Sequence, residues 1–160
     1  LPLTIDVPAT IEWSAHVYGY GVMMMASAWP DPVKTDEGGV SIFETVMTAG
    51  ITREAPVGAE KWSWDPKTDS FKSDWTVDYP LQWALHPVSA SSGTVSLCAI
   101  EDGVYSLKHV DWATGKEVGK VVLGTDPIFN TAGGFFMPIS EDLIYVSGIF
   151  GPVLLTYKKP

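Results

Sequence analysis

Two short patterns hold the side chains best able to do chemistry. Ile11-Glu12-Trp13-Ser14-Ala15-His16-Val17 and Leu81-Gln82-Trp83-Ala84-Leu85-His86-Pro87 share a Trp-x-x-His core. Imidazole changes charge near neutral pH and is a good ligand for zinc-like metals. At equivalent places in a repeating fold, His16 and His86 would be metal ligands or an acid–base pair. Trp13 and Trp83 would then line a ligand site beside them. The same four residues serve equally well as packing groups fixed by hydrogen bonds, and the sequence leaves both readings open.

Other reactive residue types carry less. In a strand, Met23-Met24-Met25 can point only Met23 and Met25 to one face, which suits strand core better than a copper site. Cys98 is the single cysteine, so no intramolecular disulfide can form. It reads as a small buried strand residue, with no basic neighbour in sequence to activate a thiolate. Asp31, Asp36 and Glu37 lack the alternate spacing of a calcium loop and read as a solvated acidic segment. Asp126 and Asn130 read as turn residues. The chain contains no glycine-rich phosphate loop, serine elbow or Cys-x-x-Cys pair.

The elements that must position these residues form a repeat. Gly21–Ala26, Gly93–Ala99 and Asp142–Gly148 align as apolar strands, each opened by a polar or glycine turn. Gly103 and Gly151 sit at equivalent tight turns after the second and third of these. The turn Asp111-Trp112-Ala113-Thr114-Gly115 matches Asp65-Pro66-Lys67-Thr68-Asp69. Asp and Thr bond backbone amides there, while Gly or Asp tolerates a left-handed backbone. The expected fold is therefore all-β, with three four-stranded antiparallel sheets arranged as β-propeller blades. Blade 1 spans about 9–78 with an insertion at 29–59, blade 2 about 80–124 and blade 3 about 131–158. Within the insertion, 40–47 reads as an extra strand or a short helix. Leu3-Thr4-Ile5-Asp6-Val7, within 1–8, alternates like a strand and is the candidate to supply the fourth strand of blade 3. Propellers close with about four to eight blades, so the whole chain, 1–160, reads as an arc completed by another chain.

Bulk properties exclude several classes. The chain has 160 residues, 46% hydrophobic and only 18% charged, which describes a folded domain rather than a disordered one. Its net charge is −9 with one arginine, Arg53, so no basic patch is available for nucleic acid. No stretch has the length of an apolar membrane span. The sequence opens at Leu1 without an initiator methionine, which suits a chain cut from a longer precursor and an extracytoplasmic or secreted setting.

The blade pattern Val104-Tyr105-Ser106-Leu107 followed by Asp111-Trp112-Ala113-Thr114-Gly115-Lys116-Glu117-Val118 resembles the repeat of PQQ-like (quinoprotein-like) β-propellers. Ser140-Glu141-Asp142-Leu143-Ile144-Tyr145-Val146 is similar to that repeat's strand opening, and Trp62–Thr68 matches it with Asp69 in place of glycine. The likeness covers about 60–158 and more loosely 10–28. It implies a fold rather than a reaction. The family's alcohol-dehydrogenase branch holds a calcium-bound quinone beside a vicinal disulfide. One cysteine excludes that disulfide, and no quinone site is evident.

The function expected from these observations is a non-catalytic binding module that assembles with another protein chain, identical or a complementary propeller fragment. A small saccharide or peptide is the other ligand class considered, with Trp29, Trp75 or Trp112 as stacking surfaces. The alternative is an extracytoplasmic enzyme with a metal or acid–base site built from His16 and His86 in a central channel.

Overall fold

The computed structural model describes residues 15–19, 21–25, 33–39, 41, 44–45, 48, 55, 57–82, 86–131, 136–140 and 142–156. Among the described residues eleven strands make three antiparallel sheets. Sheet 1 contains β1 (Ala15–Tyr18), β2 (Gly21–Met25), β3 (Val57–Asp65) and β4 (Ser70–Pro80) in that order. Sheet 2 contains β5 (Val88–Ser89), β6 (Thr94–Glu101), β7 (Val104–Asp111) and β8 (Glu117–Gly124). Sheet 3 contains β9 (Phe136–Ser140), β10 (Leu143–Gly148) and β11 (Gly151–Thr156). Every neighbour in a sheet is also a neighbour in sequence, so each sheet is an up-and-down meander. The three aligned segments become β2, β6 and β10, the second strand of each sheet.

Some expectations need correction. Among the described residues sheet 3 has three strands, not four. Leu3–Val7, the segment expected to complete it, lies outside the described residues. Of the first strand expected over 81–88, residues 83–85 lie outside the described residues. Leu81 bridges Ala99, the Gln82 amide donates to the Cys98 carbonyl (2.7 Å), and Val88 and Ser89 pair with Val95 and Thr94. Pro87, which has no N–H, contributes its carbonyl to the Ser96 amide instead (3.0 Å). β3 begins at Val57, inside the expected insertion, because Val57 and Ala59 pair with Pro80 and Val77. Earlier in that insertion Glu44, Thr45 and Thr48 have helical backbone. The Thr45 amide and hydroxyl both donate to the Ser41 carbonyl (2.9 and 2.7 Å), and the Val33 amide donates to the Thr45 hydroxyl (2.9 Å).

Turn chemistry explains the meanders. The β6–β7 hairpin turns on Asp102 and Gly103, both at positive φ (51° and 74°). That is the two-residue turn whose twist suits paired strands, and Asp-Gly is among its favoured sequences. At the β7–β8 turn the Asp111 carboxylate accepts from the Thr114 amide (2.8 Å) and hydroxyl (2.7 Å). The Gly115 amide donates to the Asp111 carbonyl (2.9 Å).

The middle strands of sheet 2, β6 and β7, are buried on both faces. Val95, Leu97, Ala99 and Val110 pack on Met23, Ala59 and Trp75 of sheet 1. Cys98 and Leu107, on the opposite face, pack on Val146 of sheet 3, with Val121, Ile144, Val153 and Leu155 around them. This is why β6 and β7 are buried along most of their length, where the burial of a one-sided strand would alternate.

Candidate functional site

The expected His-Trp constellation is only partly described. Trp13 and Trp83 lie outside the described residues. His16 is on β1, opposite Met23 in register, with its side chain outside the described residues. His86 immediately precedes the Pro87–Val88 step and is 1% exposed. Near it in sequence, the Gln82 side-chain carbonyl accepts from the Thr131 amide (2.7 Å) and hydroxyl (3.1 Å), tying the start of sheet 2 to the approach to sheet 3. His16 is thus on the first strand of sheet 1, and His86 lies just before the first strand of sheet 2. Among the described residues no group of three His, Cys, Asp or Glu is placed to hold a metal.

Two tryptophans offered as sugar-stacking surfaces are instead docked between sheets. Trp75 and Trp112 are each 7% exposed. Their rings meet edge to face, with centroids 6.4 Å apart, and the Trp75 indole N–H donates to the Trp112 carbonyl (2.9 Å). Trp75 lies against Gly115, where an added Cβ would come within 2.5 Å of the indole. A strand of sheet 1 is thereby latched onto the β7–β8 turn of sheet 2. Trp29 lies outside the described residues.

A reciprocal pair of buried lysines flanks this latch. Lys61 of sheet 1, 5% exposed, is 5.5 Å from the Trp112 ring centroid of sheet 2. It pairs with Asp74 and donates to the Ser63 hydroxyl (3.0 Å), and Ser63 also bonds Asp74. Lys108 of sheet 2, 5% exposed, is 3.6 Å from the Tyr79 ring centroid of sheet 1. Its ammonium is 2.9 Å from Glu101 and 3.7 Å from Glu117. A buried ammonium needs a counter-charge and donors used up, and each lysine here finds both. Burial pushes the Asp74 and Glu101 carboxyls up, but hydrogen bonds and the lysine charges outweigh it, leaving both below their ordinary values. Burial, then the charges of Glu117, Glu101 and Asp78, raises the Tyr79 phenol. These residues were absent from the sequence-derived candidates. The one local signal is that Lys108 sits in alternation with Ser106 and Val110 on a strand buried on both faces.

Two remaining groups are inert by placement. The Cys98 thiol is fully buried, and burial pushes its pKa well up. The Ser96 hydroxyl and His109 Nδ1 are 2.9 Å apart across β6 and β7, and desolvation lowers the His109 pKa. Asp36 and Glu37 are exposed, while Asp126 accepts from the Ile128 amide (2.9 Å) to cap a 3-10 turn at Pro127–Phe129.

An exposed apolar surface lies on sheet 3, besides Val57 of sheet 1 and Val118 and Val122 of sheet 2. Met137 (52% exposed) and Leu154 (62%) flank Tyr145 in register on the face turned away from sheet 2. Ile139 (54%) stands at the β9 bulge beside them, and Leu143 is half-buried in the neighbouring strand. Beside β11 a groove of about 220 Å³ is lined by Val121, Leu123, Phe129, Leu154, Leu155 and Thr156, among others. No protein-family model matches the chain, and no curated protein is similar enough to count as a relative.

Proposed function

We propose that the three meanders are blades of a quinoprotein-like β-propeller arc, and that the chain is a non-catalytic interaction module. It assembles by packing the outer face of sheet 3 against a β-sheet of another chain. The observation that carries this reading is the contrast between sheets 2 and 3. The middle strands of sheet 2 are buried on both faces, with Leu97 and Cys98 at 0% exposure on opposite sides, while Val118 and Val122 of its outer strand are more than half exposed. The third sheet, built to the same plan, leaves Met137, Ile139 and Leu154 more than half exposed. An apolar face rimmed by polar residues marks an interaction surface or an aggregation hazard. Burying what remains exposed of those three side chains is worth about 3 kcal/mol at about 2 kcal/mol per fully buried side chain. That is a useful contribution to association, made without any catalytic group.

The test is sedimentation of the full chain over a wide concentration range, beside the double variant Met137→Lys, Leu154→Lys. The wild type is expected to form a two-chain or larger species that the double variant loses while keeping its fold by circular dichroism. A wild type that stays monomeric and equally soluble with and without the lysines overturns the reading.

A further inference from the structure

Resting on the reading of sheet 3 as an interface, we propose that Met137 is an oxidation site that controls it: peroxide converts its thioether to a sulfoxide, and the oxidised chain no longer associates through this face. Met137 is 52% exposed and stands in register with Tyr145, whose partner on the other side is the 62% exposed Leu154. In the single chain more than half of the residue is open to a small oxidant. The same surface closes once another sheet packs on it. The other sulfur-bearing side chains that the structure describes are shielded. Met23 is 0% exposed, in the core between sheets 1 and 2. Cys98 is 0% exposed between sheets 2 and 3, and burial raises its thiol, so it holds little of the thiolate that would compete for peroxide. The side chains of Met24, Met25 and Met47 lie outside the described residues.

The chemistry is self-contained. The sulfur lone pair attacks one oxygen of hydrogen peroxide, the O–O bond breaks, and the other oxygen leaves as water. Sulfur is oxidised by two electrons and the peroxide is reduced by two. A flexible apolar side chain becomes a polar, chiral one with a strong acceptor oxygen. Sheet 3 is poorly equipped to receive that oxygen under a partner. From Phe136 to Thr156 the sequence has no lysine, arginine or histidine to donate to it. The Ser140 hydroxyl already donates to Asp142 (2.7 Å). The exposed neighbours Ile139 and Leu154 are aliphatic. Packing another apolar face over the sulfoxide buries an acceptor without a donor, and the apolar area gained at this residue does not offset that cost. In the single chain the same oxygen faces water, so oxidation acts on association and spares the fold.

The test uses the full chain, treated with dilute hydrogen peroxide below its association concentration. Peptide mass mapping reads the gain of one oxygen, and sedimentation of the concentrated chain reads association. Met137 is expected to oxidise at least about tenfold faster than the buried Met23. Association should weaken at least about tenfold as it does so, with an unchanged circular dichroism spectrum. Reduction by methionine sulfoxide reductases with a dithiol, which is oxidised to the disulfide as the oxygen leaves in water, should restore both the mass and the association. The Met137→Leu chain, compared only with itself before and after peroxide, should show no peroxide-dependent change in association. Undiminished association of the chain oxidised at Met137, equal oxidation of Met137 and Met23, or loss of association to peroxide in Met137→Leu overturns the inference while the sheet 3 interface stands. An untreated wild type that stays a single chain at every concentration overturns both.

Discussion

Replacing Gly115 by alanine measures how firmly sheets 1 and 2 are latched. Gly115 has φ +72°, and a Cβ there would come 2.5 Å from Trp75 Cγ and 2.6 Å from its Cβ. The clash is with the stem of the indole, so Trp75 must move as a whole. The left-handed backbone costs a non-glycine residue about 1–2 kcal/mol. Displacing Trp75 also forfeits its hydrogen bond to the Trp112 carbonyl, about 0.5–1.5 kcal/mol. The edge-to-face contact with Trp112 adds about 0.5–1.5 kcal/mol. The sum is about 3 kcal/mol, a large share of the roughly 5–15 kcal/mol that holds a domain folded. Gly93 supplies the internal control. Its φ is +63° and nothing lies within 4 Å of an added Cβ, so Gly93→Ala bears the backbone cost alone. With a urea slope of about 2 kcal/mol per molar, Gly115→Ala should lower the unfolding midpoint by about 1.5 M and Gly93→Ala by about half that. In a Trp75→Ala background the two substitutions should converge. Equal effects of both glycine substitutions in the wild-type background would refute the latch.

Other consequences follow from the same geometry. Lys108→Met keeps the aliphatic stem on Tyr79 but removes the charge, and should cost about 1–2 kcal/mol by urea unfolding through the lost cation–π contact. Asp74 and Glu101 sit below their ordinary values of 3.8 and 4.5 in the folded chain. Their contribution is therefore complete above that range and lost as pH falls through it. Asp74→Asn should flatten the stability–pH curve there, and an unchanged acid limb would contradict the pairing with Lys61. Desolvation holds His109 below its ordinary 6.5, so the folded chain resists protonating it and stability should begin to fall as pH drops below 6.5. His109→Gln should remove that first decline in a pH series of thermal melts.

Much of the architecture was legible because strand registers are local. Alternation and turn residues located β6, β7 and β8 within about a residue, since Asp102-Gly103 and Asp111–Gly115 dictate their own turns. What escaped depends on contacts between sheets. Trp75 and Trp112 looked like free aromatic surfaces because nothing within either segment shows that the other will cover it. Lys61 and Lys108 drew no notice in the sequence for the same reason: their counter-ions Asp74 and Glu101 are 13 and 7 residues away and are brought close by hairpin register. The Trp-x-x-His repeat places His16 on the first strand of sheet 1 and His86 just before the first strand of sheet 2, but does not reveal their chemistry. The uncovered face of sheet 3 was implicit in the count of blades, whereas its anchors, Met137 and Leu154, became visible only with the register of β9, β10 and β11.

The central claim, that sheet 3 is where this chain meets another, is tested most directly by amide hydrogen exchange of the full chain above and below its association concentration. The account predicts that protection rises with association along Gly151–Thr156 and Glu117–Gly124, which flank the groove, and around Met137 and Tyr145. The Ser70–Pro80 edge of sheet 1 should not change. Association that protects Ser70–Pro80 and leaves Gly151–Thr156 exchanging as in the single chain would contradict it.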